Sequence, residues 1–167
     1  SASPAAVGSP TTGEAVHALT NGSGSVRFAV FNGPALDETN LNTMGNWDRL
    51  NSLAGAEPDN SDTHLSSGGN GVLLGYVSTF GVGDTRVAFR RLDSATDSFG
   101  SPTYVQGANP IDGNGLAFAH HSQDAGNRIH FVWRTLHDGG RLRYIRSDDG
   151  GATFSAPANL ALRESFQ

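Results

Sequence analysis

Ser147-Asp148-Asp149-Gly150-Gly151-Ala152-Thr153-Phe154 is the stretch from which the fold of this chain is read. It follows the pattern Ser-x-Asp-x-Gly-x-Thr-aromatic at every fixed position. A carboxylate at Asp149 can accept backbone N–H groups inside a tight turn, and Gly151 supplies a residue free to take positive φ. Phe154 can then anchor the returning strand in a core. Ser147, Asp149, Gly151, Thr153 and Phe154 are therefore read as a hairpin lock, with Asp149 accepting N–H bonds within its own turn and Phe154 buried.

Moving outward, a displacement of 55 residues lays the preceding region on this one without a gap: Arg86 falls on Arg141, Arg91 on Arg146, Val77 on Val132, Asp93 on Asp148, Phe99 on Phe154 and Pro102 on Pro157. Apolar character carries over too, with Phe89 on Tyr144 and Val105 on Leu160. In this earlier copy Leu92, Ser94 and Thr96 replace the Ser, Asp and Gly of the pattern, so Asp93 and Phe99 mark a degenerate box in which the aromatic anchor persists. A period near fifty residues with about four short strands per unit is the signature of propeller blades. A weaker first copy aligns Val26–Phe31 with the strand at residue 72, giving units of about 14–53, 60–106 and 115–162.

Composition points the same way. Twenty-two glycines and many short apolar alternations, with no helix of convincing period, describe an all-β chain rich in turns. The 167 residues are the size of one domain. No apolar run reaches the length of a membrane helix, so no membrane span is expected. All eleven basic residues are Arg and cysteine is absent, which excludes a phosphate-loop Lys, a Schiff-base Lys, thiol nucleophiles, disulfides and Cys-zinc sites. A net charge of −5 argues against a nucleic-acid partner, which requires a basic face. The start, Ser1-Ala2-Ser3-Pro4, reads as processed or engineered, with any targeting signal already removed.

The octapeptide is an Asp-box, and with the 55-residue repeat the chain resembles the sialidase-like (BNR repeat) β-propellers. The resemblance implies a secreted chain of about three four-stranded blades, part or half of a six-bladed ring. The alternative fold is a β-sandwich. Ser3–Val7 shares a small-Pro-x-x-aliphatic pattern with Ser101–Gln106 and Ala156–Ala161, and is read as an outer strand left over from a preceding blade, since Pro suits sheet edges. From Gly33 to Asn46 a long loop with one weak strand is expected.

The family's enzymes use an arginine triad for the sugar carboxylate, a Tyr with a Glu partner as nucleophile and an Asp as acid/base, an exception to the two-carboxylate scheme. This chain has Arg in plenty, with Tyr76, Tyr104 and Tyr144, and Glu14, Glu38, Glu57 and Glu164, but lacks the Arg-Ile-Pro signature. No catalytic residue is matched, and whether the chain is an enzyme stays open. The candidate ligand-binding residues are Arg128 and Arg134 as anion grips, Trp133 and Tyr76 as sugar platforms if exposed and core residues otherwise, and His120 and His121 in a polar surface loop between two strands of the third unit. Adjacent His side chains on an extended chain point to opposite sides, so no metal is expected from that pair. No cofactor is expected.

Three functions follow: a glycan- or protein-binding module, part of an exo-sialidase-like glycoside hydrolase, or a structural repeat with no ligand of its own. Three blades leave sheet faces exposed, so the expected partner is a second copy in a homodimeric ring or the remainder of a longer parent chain.

Overall fold

A computed structural model describes residues 4–9, 14–20, 26–35, 37–47, 51–52, 60–68, 71–81, 84–93, 95–96, 98–105, 116–124, 126–135 and 141–160. Residues 21–24 and 137–140, which the sequence reads as turns between strands, lie outside these residues, as does the side chain of His120. The fold is all-β, in antiparallel sheets. The first sheet runs in chain order through β1 (Pro4–Ser9), β2 (Glu14–Thr20), β3 (Val26–Val30) and β4 (Asn51–Ser52). The second runs through β5 (Asn60–Gly68), β6 (Gly71–Gly81) and β7 (Asp84–Asp93), with β8 (Ser98–Phe99) and β9 (Thr103–Tyr104) both paired to β7. The third comprises β10 (Leu116–Gln123), β11 (Ile129–Thr135), β12 (Leu142–Ser147) and β13 (Ala158–Leu160). The strands thus divide among three sheets rather than the two of a sandwich, and among the described residues the sheets do not close on one another.

The 55-residue repeat is visible in the hydrogen bonds. Gly100 N donates to Arg91 O at 3.0 Å, and one unit on Ser155 N donates to Arg146 O at 2.8 Å. The pair Phe89↔Thr103 recurs as Tyr144↔Ala158, and Ala88↔Tyr104 as Arg143↔Asn159. The β6–β7 and β11–β12 registers differ by two residues, since Leu74 faces Arg90 while Ile129 faces Ser147. A slip of two leaves every side chain on its own face, so the repeat tolerates it.

The middle sheet is apolar on both faces because it is covered on both. Val72, Leu74 and Tyr76 of β6 join Phe28 and Val30 of the first sheet, while Leu73 and Val77 join Ile129, Phe131 and Trp133 of the third. Residues 72–78 are all buried, which accounts for the nearly unbroken apolar run of β6. The first strands of the sheets are neighbours, β1 packing on β5 and β5 on β10.

The first unit departs from expectation. Pro4–Ser9 pairs with β2 over six positions, Pro4↔Leu19 to Ser9↔Glu14, so it opens the first sheet and is not left over from another. It does hold an edge position, where the missing N–H of Pro4 costs no ladder bond. Val26–Val30 is accordingly the third strand of its sheet, whereas Leu73–Val77 and Ile129–Trp133 lie in second strands. Among its described residues the expected loop at 33–46 carries no strand; it holds a short helix α1 (Glu38–Leu41) and a 3-10 turn (Met44–Asn46). Asp37 caps that helix, its Oδ1 accepting from Asn40 N at 2.8 Å. Trp47 closes the excursion, its ring 5.3 Å from that of Phe31 and its Nε1 donating to Leu41 O at 2.8 Å.

Candidate functional site

The octapeptide Ser147–Phe154 is a closed hydrogen-bond system. Asp149 Oδ1 accepts from Thr153 N at 2.9 Å and Asp149 Oδ2 from Thr153 Oγ1 at 2.6 Å. Ser147 Oγ donates to Asp149 Oδ1 at 2.8 Å and accepts from Gly151 N at 2.7 Å. The Thr153 hydroxyl, the Thr153 N–H and the Ser147 hydroxyl together hold the Asp149 carboxyl down to about 2. Gly150 and Gly151 both take positive φ, 72° and 97°. A Cβ on Gly151 would lie 2.3 Å from Phe89 Cζ, so this glycine serves sheet packing as well as the turn. Every acceptor of the box carboxylate is thereby engaged within the turn, and the motif works as a lock.

Phe154 is half-buried rather than buried. Its ring lies 6.2 Å from Phe89 of the second sheet and 6.1 Å from Phe131 of the third, at the rim of the second core. In the degenerate box Phe99 is buried and stands edge-on to Phe28 of the first sheet at 4.8 Å. There Asp93 has taken over the turn, accepting from Ala95 N and from Thr96 Oγ1, both at 3.0 Å.

The candidate ligand residues are not brought together. Trp133 is 1 % exposed in the second core, because β11 turns it toward the middle sheet, and it cannot offer a platform to a sugar. Tyr76, weighed for the same role, is also 1 % exposed, and its hydroxyl accepts from buried Arg90 Nε at 2.9 Å. Arg128 is a fastener: its Nε lies 2.9 Å from Asp148 Oδ1, while Arg146 holds the other oxygen of Asp148 at 3.0 Å. Asp124 accepts from the Arg128 and Gly126 N–H groups, which lowers its carboxyl. Arg134 is exposed on the opposite face of β11 from Trp133. His120 and His121 lie in strand β10 rather than in a surface loop, and His121 is buried between the second and third sheets because its side of that strand is turned toward the middle sheet. Among the described residues no three His, Cys, Asp or Glu gather as a metal-ligand set. Among the described residues no helix is long and apolar enough to cross a membrane.

What the geometry does assemble is a sheet face. In the second sheet, Val77, Val87, Phe89 and Val105 form the wall that receives the third. Displaced by 55 residues they become Val132, Leu142, Tyr144 and Leu160, which lie on the face of the third sheet turned away from the second. Leu73 and Gly75 become Arg128 and His130, so the same face is rimmed with polar groups. Tyr144 is half-buried with its hydroxyl 2.8 Å from His130 Nδ1, and Leu160 is 39 % exposed. No single-sequence pattern marks this face; only the sheet order shows which side of β11 and β12 is covered.

No family model and no curated protein matches the chain.

Proposed function

We propose that this chain is a run of three Asp-box propeller blades acting as a noncatalytic binding module for a glycan or a protein, its third sheet covered by a further sheet of the same kind. The observation that carries this reading is the retained apolar row Val132, Leu142, Tyr144 and Leu160 at the positions that receive a following sheet in the copy before. Phe99 seats on Phe28 and Phe154 on Phe89; Tyr144 is the next seat in that series. Arg91 Nη2 donates to Gly150 O of the following Asp-box at 3.3 Å, and Arg146 is its counterpart one unit on. A second copy is the partner favoured, because it supplies the same repeat geometry.

Sedimentation of the purified chain and of a Tyr144→Glu, Leu160→Glu variant tests the partner. Self-association of the parent that the variant loses supports the reading, and a parent that is monomeric at micromolar concentration overturns the self-pairing. A glycan array tests the ligand class. Turnover of a fluorogenic sialoside by the purified chain would replace the noncatalytic assignment with the hydrolase one.

A further inference from the structure

We propose that Trp47 of one copy of this chain seats on Tyr144 of another, so that the outward face of the third sheet pairs head to tail with the outward face of the first. The inference rests on the reading that a second copy covers the third sheet, and it names the surface that copy presents. In the second unit the pin Phe99 stands opposite Leu92 and turns with it toward the first sheet, where it meets Phe28. Phe154 seats in the same way on Phe89. Phe28, Phe89 and Tyr144 are equivalent third-strand seats, and Phe31, Leu92 and Ser147 stand three residues beyond them. Opposite Phe31 the antiparallel partner is Trp47, and Asn32 N donates to Asn46 O at 2.7 Å in the place of the pair Asp93↔Ser98. By register Trp47 is therefore the pin of the first unit, although the connection before it is longer and holds α1.

Among the described residues this pin has no seat, and the Tyr144 seat has no pin. Phe28 and Val30 turn toward the second sheet, so strand alternation turns Phe31 the other way, and Trp47, directly opposite it, shares that outward face. The Trp47 ring packs on Phe31 at 5.3 Å and 63° and is oriented by its Nε1 bond to Leu41 O, yet it stays half-buried where its counterpart Phe99 is buried. The large apolar side chains left exposed among the described residues are Leu41, Met44 and Leu160. Leu41 and Met44 both supply Trp47 with a carbonyl acceptor, so they flank the pin, while Leu160 shares the outward face with Tyr144. Charge is complementary as well: residues 33–47 carry exposed Asp37 and Glu38 and no Lys or Arg, and the outward face of the third sheet carries exposed Arg134. A two-fold pairing of third sheets would set one arginine-bearing face against another, which the head-to-tail contact avoids.

The test is sedimentation of the whole chain, of Trp47→Asp, of Tyr144→Glu and of the equimolar mixture of the two variants, each first melted to establish that it folds. The expected result is a parent that associates, variants that are each monomeric at the same concentration, and a mixture that regains association. The mixture unites the intact Trp47 of one chain with the intact Tyr144 of the other. A Trp47→Asp variant that associates as the parent does overturns this contact and leaves self-pairing through the third sheet standing, whereas a monomeric parent overturns both. A mixture that stays monomeric also overturns the contact. Should a variant not fold, Met44→Cys and Leu160→Cys chains are mixed and treated with a flexible bis-maleimide, which finds no native cysteine to attack. Met44 is 89 % exposed, so that substitution leaves the packing of Trp47 on Phe31 in place. Cross-linked pairs holding one chain of each kind, and lost when either variant is alone, support the contact. Cross-links formed as readily by either variant alone, or none at all, overturn it.

Discussion

Phe99 meets Phe28 edge to face at 4.8 Å, tying the turn of the second unit to the third strand of the first sheet. One unit on, Phe154 repeats the contact with Phe89 at 6.2 Å. Successive sheets are pinned by the same device, an aromatic at the end of one unit's turn seated on an aromatic in the third strand of the unit before. The pin survives where the hydrogen-bonded turn has changed, because it is packing between sheets and does not depend on how the turn is closed.

This ranks two otherwise equivalent truncations. Phe99 is 5 % exposed and Phe154 is half-buried. Phe99→Ala should cost about 3–5 kcal/mol, the usual range for a buried phenylalanine, and Phe154→Ala less. Urea denaturation of both variants checks the order; a larger loss at Phe154, in the unit with the complete motif, would count against the packing account.

The Asp149 carboxylate sets an acid limb. Its folded value, about 2, lies below the ordinary 3.8, so its contribution to stability is present above pH 3.8 and is lost as pH falls toward 2. Asp149→Asn should flatten the dependence of the melting midpoint on pH within that window and leave the dependence at higher pH alone. Melts at closely spaced pH values decide it.

Ser147 is 1 % exposed, and its hydroxyl serves both Asp149 and Gly151 N–H. Ser147→Ala leaves that buried N–H without its acceptor and should cost about 1–3 kcal/mol. If the variant unfolds at the same urea concentration as the parent, the hydroxyl is dispensable.

Gly151→Ala meets two penalties at once, a left-handed backbone at φ 97° and a Cβ placed 2.3 Å from Phe89 Cζ. The expected loss is about 2–4 kcal/mol. Pairing it with Phe89→Leu separates the terms: the double variant should recover the packing part and keep the backbone part, as a thermodynamic cycle would show.

Tyr76→Phe removes the hydroxyl that accepts from Arg90 Nε, between two residues each 1 % exposed. Loss of an acceptor to a buried guanidinium should cost about 1.5–3 kcal/mol. Arg90 also donates to Gly100 O at 3.1 Å, so the fourth-strand region near Gly100 should show faster amide exchange in the variant.

By itself the sequence determined what is local and periodic. Strand alternation placed Ile129, Phe131 and Trp133 on one apolar face, and the octapeptide from Ser147 to Phe154 specified its own turn, because its donors and acceptors lie within a few residues of one another. The displacement that brings Arg91 onto Arg146 was legible for the same reason, and it reappears as a repeated hydrogen bond. Tertiary structure alone decided which sheet each strand joins and which face is covered. The Pro4 segment resembles two fourth strands in residues yet pairs as a first strand, since pairing depends on what lies beside it. Trp133 could be read as a platform until the second sheet was seen to cover it. His64 and His121 carry no shared motif; their contact exists because two sheets, each built from local pairing, pack face to face and bring distant imidazoles within 3.4 Å.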